Sequence, residues 1–301
     1  CIRDSISTFL GEKKVQLVVT YNEQRAREIE EDYKLFCSQV YVIPPRDLIF
    51  FSADLQGNAI IAERMKAFAA LYQNEAKVII TTMDALMSAA VPFEQLMSHV
   101  IKLKEGDELD LEKLKHDLTV MGYERVGRVE EPGQFTVHGG IADVYPLTME
   151  VPVRIELWGD EIDTIRCFEP QSQRSMDQSE CVSVFPAAEV IADDTARRRA
   201  VGMIQNELES QLAVFKKAKE PDKAKRLREE TNRILEALGE DVVLEAPDSY
   251  ISYFYPRTVQ LSEYFDEKNT LVFLDEPMRL KERGDGVQAE FEAVSYTHLR
   301  A

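Results

Sequence analysis

Apolar residues follow different periods in different parts of the chain, and the changes of period divide it. Up to about residue 110, short β-branched runs alternate with segments in which apolar residues recur every three or four positions. The runs are 15–20, 40–43 and 77–82, and the helical spacing covers about 22–36, 58–74 and 83–87. Buried strands that alternate with amphipathic helices predict a parallel α/β sheet with right-handed crossovers.

A second pattern occupies about residues 125–185, where short alternating strands are separated by turn residues. Residues 153–158 alternate apolar with polar positions, and residues 162–168 form the return strand after a Gly-Asp turn. Alternation of period two predicts an antiparallel sheet with one buried face. We interpret this segment as a domain inserted into the α/β body.

Helical spacing returns between about residues 195 and 238, and an apolar strand follows at 270–274. The helical stripes are Ile204, Leu208, Leu212 and Phe215, then Leu227, Ile234, Leu235 and Leu238. Between them the basic run 216–228 is interleaved with Glu and Asp, which favours a solvated helix face over a nucleic-acid patch.

Composition narrows the class of function. The 301 residues include 36 Lys and Arg against 54 Asp and Glu, a net charge of −18. A free-standing nucleic-acid binder needs clustered cations, so this balance argues against that class. The hydrophobic share of 45% and the length predict two or three globular domains. No apolar run is long enough to predict a membrane span.

The cysteines and the two chain ends also carry expectations. Cys1, Cys37, Cys167 and Cys181 are far apart without a CxxC pair, so we expect a reducing, cytoplasmic setting. Because the chain begins at a cysteine rather than Met, we expect it to start inside a domain. Residues 295–301 depart from the acidic pattern before them and resemble a translated sequencing adapter, so we expect non-native sequence from about residue 294 onward.

The strand at 270–274 ends in Asp275-Glu276, a pair that holds Mg²⁺ in nucleotide hydrolases. That chemistry needs a phosphate-binding GxxxxGK[ST] loop, which the 301 residues do not contain. A capped strand end with solvated carboxylates is therefore the favoured interpretation. The histidines at 99, 116, 138 and 298 are scattered and no GxSxG elbow occurs, so we predict no catalytic, metal or cofactor-binding residue.

Sequence blocks in the middle segment give a specific resemblance. They are GQFTVHGGIADVYPL (133–147), PVRIELWGDEI (152–162), RCF (166–168), SQRS (172–175) and FPAAE (185–189). Flanking blocks are PPRD (44–47), TTMDAL (81–86) and LDEP (274–277). Together they resemble the transcription-repair coupling factor family, Mfd, over about residues 15–293.

The resemblance implies a UvrB-like fold with a helicase-like parallel-sheet domain in two chain segments and a smaller antiparallel α+β domain inserted between them. The implied segments are 1–110 (a degenerate domain 1a), 111–193 (domain 2), 194–294 (domain 1b) and the tail 295–301. The family's copy of this fold has lost its nucleotide-binding loop, so the resemblance implies a degenerate ATPase without a cofactor in this chain.

In that family, domain 2 binds the damage-recognition ATPase UvrA. Carried over by position, the blocks place Arg154 and Trp158 on the UvrA surface. The two residues are four apart on one strand and share a face, and an arginine beside an aromatic is typical of an interface hot spot. Secondary candidates are Arg166, Arg174 and His138, which stands where the family commonly has Arg. The alternative is that Arg154 and Arg166 form a surface set paired with Glu156 and Asp163.

The implied function is a non-catalytic module that recruits UvrA to RNA polymerase stalled at a lesion, in transcription-coupled nucleotide excision repair, and that restrains the motor of the full-length protein. That full-length protein would be an ATP-dependent DNA translocase, with ATP and Mg²⁺ as cofactors and RNA polymerase and double-stranded DNA as partners. The alternative is an active UvrB-type ATPase or helicase domain acting on damaged DNA. Half of the net charge, −9, lies on residues 111–193, the segment predicted to bind a partner.

Overall fold

A computed structural model of the protein describes residues 15–46, 55–239 and 251–298. The helices are α1 (Glu23–Lys34), α2 (Leu55–Tyr72), α3 (Met83–Met87), α4 (Phe93–Met97), α5 (Leu111–Val120), α6 (Asp194–Ala218), α7 (Pro221–Gly239), α8 (Ile251–Phe254) and α9 (Pro277–His298). The strands are β1 (Val15–Thr20), β2 (Val40–Ile43), β3 (Val78–Thr82), β4 (Ala89–Ala90), β5 (Ile101–Lys104), β6 (Glu124–Arg125), β7 (Gln134–His138), β8 (Ile141–Val144), β9 (Val153–Trp158), β10 (Glu161–Phe168), β11 (Ser175–Gln178), β12 (Cys181–Val184), β13 (Val259–Gln260) and β14 (Thr270–Leu274).

Four parallel strands from both ends of the described chain form one sheet, in the order β14-β1-β3-β2. Strand β14 follows the insert in sequence but pairs with β1, with Leu17 opposite Val272. The predicted α/β fold in two chain segments is therefore confirmed, because a strand from each segment contributes to the same sheet.

Side chains of β1, β2 and β3 are largely buried on both faces, as continuous apolar strands require. The edge strand β14 differs, because Val272 and Leu274 are more than half exposed. One face packs against α1, whose N-cap is Asn22, and the Asn22 side chain accepts a hydrogen bond from the Arg25 amide. The other face packs against α2 in the largest apolar cluster, where Met65 and Phe68 are fully buried. The sheet is thus a rigid base for the insert.

The inserted segment forms a six-stranded sheet in the order β11-β10-β9-β8-β7-β6. Every neighbouring pair is antiparallel except β6 and β7. The carboxylate of Asp110, the N-cap of α5, accepts hydrogen bonds from two backbone amides, and the helix buries Leu114 and Leu118 in this core. The predicted antiparallel sheet with one buried face is confirmed. Strand β5 pairs with β12, and its residue Leu103 lies in the core of the insert. The predicted boundaries of the insert, at residues 110 and 193, stay predictions.

A buried joint attaches the insert to the α/β body. Arg64 of α2 is fully buried, and its guanidinium donates to Glu189, with Nη2 to Oε2 at 3.0 Å. The Tyr123 hydroxyl donates to the carbonyl of Phe185 at 2.7 Å. Phe185 in turn meets Tyr72 of α2 edge to face. The FPAAE block at 185–189 is thus a structural connection between the two domains.

The helical spacing over 22–36 predicts one apolar stripe of Ala26, Ile29, Tyr33 and Phe36, and this prediction is wrong for Phe36. Helix α1 ends at Lys34, and the Phe36 side chain is 71% exposed beyond it. Of the other stripe residues, Ala26 and Ile29 are buried as predicted and Tyr33 is half-buried. Among the helices that the structure describes, none is both long and apolar enough to cross a membrane.

Candidate protein-interaction surface

The sheet of the insert has one face against its core and one face away from it. We call the second the outer face. Two cross-strand rows on it follow from the strand registers. The first row is Thr136, Asp143, Arg154 and Arg166, and the second is His138, Ile141, Glu156 and Thr164. Four of the five predicted site residues, all but Arg174, lie on strands of this face.

Arg154 lies in the first row of the outer face, where Thr136 and Asp143 are buried. Its guanidinium makes a bidentate ion pair with Asp143, with Nε to Oδ1 and Nη2 to Oδ2 both at 2.7 Å. The guanidinium also stacks over the ring of Phe168 at 4.7 Å and donates to Gln173. The hydrogen bonds that the guanidinium donates to Asp143 raise the pKa of Arg154. Arg154 is therefore held in place by the domain itself.

Trp158 lies at the end of the outer face next to the turn between β9 and β10. It is the last residue of β9 and pairs with Glu161 across a two-residue turn in which Gly159 has a φ of 68°. Its side chain is 84% exposed. Alternation along β9 puts it on the same face as Glu156 and Arg154. An exposed tryptophan presents a large rigid apolar surface with one hydrogen-bond donor.

The three secondary candidates are spread over this face and its edge. Arg166 is directly opposite Arg154 in the ladder, and its side chain has no hydrogen bond or ion pair with any described residue. His138 ends β7 opposite Ile141 and is exposed. Arg174 is exposed in the connection between β10 and β11, at the end of the sheet away from Trp158. The five residues therefore span the sheet rather than form one compact site.

Sequence reasoning missed three residues that decide the character of this face. Asp143 is 6% exposed and is the partner of Arg154, in place of the Glu156 or Asp163 that the surface-set alternative named. Phe168 lies beneath the guanidinium, fully buried. Ile141 is 40% exposed and adds apolar surface in the row between His138 and Glu156. The alternation of apolar and polar positions indicates the face of the sheet on which each residue lies, but which residues meet across the strands depends on the strand register.

The acidic pair at the end of β14 is engaged in local contacts. The Asp275 carboxylate accepts from Arg25 Nε at 3.0 Å and from the Thr20 hydroxyl at 3.1 Å. Glu276 has a φ of 52° and forms an ion pair with Arg279 at 2.9 Å. These contacts agree with the capped strand end that the sequence favoured. The prediction that both carboxylates are solvated holds for Glu276 but not for Asp275, whose side chain is 16% exposed.

Other groups that could carry chemistry do not converge in the described ranges. No three His, Cys, Asp or Glu side chains there are placed to hold a metal ion. Cys37, Cys167 and Cys181 are free thiols, and Cys1 lies outside the described residues. Burial raises the pKa of the Cys167 thiol, which lowers its reactivity at neutral pH.

Comparison with known proteins gives the family. Residues 101–189 match the family described as UvrB interaction domain. The chain is 31% identical over 284 residues to the transcription-repair-coupling factor of Bacillus subtilis, covering 94% of the chain and 24% of that protein. It is 32% identical over 281 residues to that of Staphylococcus haemolyticus, covering 91% and 23%, and 28% identical over 301 residues to that of Staphylococcus aureus, covering 95% and 25%.

The chain spans about a quarter of the length of the curated relatives it matches. The matched family segment coincides with the inserted sheet and with β5, which pairs with β12 beside it. The chain is therefore the counterpart, over 94% of its length, of the UvrB-homology region of the transcription-repair-coupling factors (Mfd), with a UvrB interaction domain at residues 101–189.

Proposed function

We propose that this chain is a non-catalytic protein-interaction module of a transcription-repair coupling factor and that it binds UvrA through the outer face of its inserted sheet. The binding would recruit UvrA to RNA polymerase stalled at a lesion, and in the full-length protein it would help to restrain the motor. ATP and Mg²⁺ would belong to that motor, and double-stranded DNA would be a partner of the full-length protein. The name of the matched family and the similarity to coupling factors support this proposal.

The observation that carries the proposal is the exposure of Trp158. It is the single tryptophan of the chain, and it is 84% exposed at the rim of a rigid sheet. Tryptophan is rarely left in water without a partner, and it is enriched among the residues that dominate binding energy at interfaces. Ile141, 40% exposed on the same face, extends the apolar surface. We therefore assign Trp158 as the anchor of the interface.

The arginines take different roles in this proposal. Arg154 supports the surface, since its guanidinium is already bonded to Asp143 and stacked on Phe168. Arg166, with no side-chain partner among the described residues, is free to pair with a carboxylate of UvrA. A charged group that gains a buried partner on binding contributes both affinity and orientation.

The alternative function, an active UvrB-type ATPase, depends on Asp275 as a ligand of Mg²⁺. Its carboxylate is held by Arg25 and Thr20, and a metal would have to compete with that guanidinium for the same oxygen, Oδ2. This contact favours the interaction module over the ATPase.

The test is the affinity of the whole chain for purified UvrA of Bacillus subtilis, measured by titration calorimetry. We expect Trp158→Ala to weaken binding at least 30-fold, since a hot-spot residue contributes about 2 kcal/mol or more. We expect its melting temperature to stay within about 2 °C, because the side chain packs on almost nothing. Arg166→Ala should weaken binding by a smaller factor.

Phe36→Ala is the matched control, because Phe36 is an aromatic side chain that is 71% exposed on the α/β body, outside the proposed surface. It should bind UvrA as the parent chain does. Equal affinities for the parent and Trp158→Ala, or an equal loss in Phe36→Ala, would refute the assignment of the outer face.

A further inference from the structure

Helices α6 and α7 form an antiparallel hairpin that projects from the α/β body. Ala196, Ala200 and Ile204 at the start of α6 are buried, and Thr231 and Leu238 of α7 are buried at the same end. No residue between 205 and 230 is buried. This distal part spans more than three turns of α6, about 20 Å. The connection between the helices therefore stands away from the core.

Positive charge concentrates at this distal end. We define the hairpin tip as residues 216–228, a segment that contains seven basic and two acidic residues and has a local net charge of +5. All seven basic residues are exposed. They are Lys216, Lys217, Lys219, Lys223, Lys225, Arg226 and Arg228. In a chain with a net charge of −18, such a patch is an exception to the overall pattern.

Local ion pairs account for few of these cations. Lys223 pairs with Glu220 at 3.2 Å and Lys225 with Glu229 at 3.9 Å, both exposed. The side chains of the other five cations form no hydrogen bond or ion pair with any residue in the described ranges. These five cations are Lys216, Lys217, Lys219, Arg226 and Arg228. Most of the charge at the tip is thus available to a partner.

Helix stability does not explain the arrangement either. Lys216 and Lys217 lie in the last turn of α6, where cations complement the helix dipole. Lys223 and Lys225, however, lie in the first two turns of α7, where the dipole favours acidic side chains. A surface that gathers cations at both helix ends, one of them unfavourable, is typical of a site for an external anion.

We propose that the hairpin tip contacts the phosphate backbone of double-stranded DNA without reading its sequence. This proposal departs from the solvated helix face that the interleaved acids favoured from sequence alone, because the structure pairs only Lys223 and Lys225 with acids. The choice of partner follows from the composition of the tip. A protein interface would be expected to show aromatic anchors and to be depleted in lysine, whereas five of the seven cations here are lysines. A membrane surface would need a broad apolar face, and the tip has none. Lysines and arginines spread over two helices match a line of phosphates.

This site is separate from the outer face of the insert, so it goes beyond UvrA binding, and neither result determines the other. Since the rest of the chain is acidic, we expect weak binding, with a dissociation constant of about 10⁻⁵ M at low salt. The test is fluorescence anisotropy of a labelled duplex of about 30 base pairs, titrated with the whole chain between about 50 and 200 mM salt.

The test variant combines Lys216→Gln, Lys217→Gln, Arg226→Gln and Arg228→Gln, which removes four charges and keeps good helix formers. We expect affinity at low salt to fall at least about tenfold, and the slope of log affinity against log salt to lose about four. The control combines Lys104→Gln, Lys113→Gln, Lys268→Gln and Lys281→Gln, four exposed lysines outside the hairpin. It changes the net charge equally and should bind DNA nearly as the parent chain does.

Three results would overturn the proposal. One is the absence of binding at the lowest salt, and another is an equal loss in the control. The third is tighter binding of polyglutamate than of a duplex with the same number of charges, which would assign the tip to an acidic protein. Circular dichroism of both variants verifies that the helices are retained.

Discussion

Arg154 and Asp143 face each other across strands β9 and β8 and share two hydrogen bonds of 2.7 Å. The side chain of Asp143 is only 9% exposed, so its charge depends on this arginine for compensation. A residue that the family resemblance places on a partner surface is therefore also part of the domain's internal structure. Replacing it by an acid would put two carboxylates together and confound a binding experiment.

We predict that Arg154→Ala lowers the free energy of unfolding by about 2 kcal/mol, because it leaves a buried carboxylate without its charged partner. Urea denaturation of the whole chain measures the effect. Arg166→Ala is the control, since Arg166 is opposite Arg154 and has no side-chain partner among the described residues. It should change the free energy by less than about 0.5 kcal/mol. Equal losses in the two variants would contradict a structural role for Arg154.

Asp275 provides a test that separates the two candidate functions. As a structural carboxylate, it should lose about 1 kcal/mol of stability on Asp275→Asn, since Arg25 is about a third exposed and solvent weakens the ion pair. Phosphate release from ATP in the presence of Mg²⁺ should be absent before and after the substitution. Turnover by the parent chain that Asp275→Asn abolishes would favour the ATPase.

Glu276→Gln is the matched control for that experiment. Glu276 forms an ion pair with Arg279 in which both side chains are about half exposed. Its replacement should change stability by less than about 0.5 kcal/mol. The comparison therefore distinguishes the engaged carboxylate of Asp275 from its exposed neighbour.

The sequence predicted the fold better than the surface, for a physical reason. Periodicity gives the face on which a residue lies, so the parallel sheet, the insert and the buried stripe of α1 up to Ile29 were accessible. Register depends on turns and bulges distant in sequence, such as the shift in β10 between Ile162 and Thr164. The pairing of Arg154 with Asp143 therefore could not be predicted from the periodicity of the sequence, and neither could the projection of residues 205–230 from the α/β body.

Gly122 lies next to the 185–189 block that connects the insert with the α/β body. Its φ is +91°, and a Cβ there would lie 2.8 Å from the Cβ of Ala188, in the FPAAE block. We predict that Gly122→Ala costs about 3 kcal/mol of unfolding free energy, since it adds backbone strain to a steric clash. Gly127→Ala, where a Cβ meets nothing within 4 Å, should cost less than about 1 kcal/mol. Urea denaturation of both variants makes the comparison, and similar costs would show that the contact with Ala188 yields easily.

Glu189 should make the stability of the same joint dependent on pH. Burial by itself raises the pKa of its carboxyl group, but Arg64 and Arg46 outweigh burial and lower the pKa below its ordinary value of 4.5. Because the unfolded chain binds the proton more tightly, the contribution of Glu189 is complete above that value. It is lost as pH falls through the lower pKa of the folded state.

We therefore predict that Glu189→Gln destabilises the chain by about 3–5 kcal/mol at pH 7, where it leaves the fully buried Arg64 without its charged partner. The difference from the parent chain should shrink as the pH falls below about 4.5, because the parent's own carboxylate is then increasingly protonated. Melting curves between neutral and acidic pH measure both effects. Arg64→Met combined with Glu189→Gln should recover part of the loss, because it removes the unpaired charge. A difference that does not change with pH would mean that the carboxylate of Glu189 contributes by packing rather than by charge.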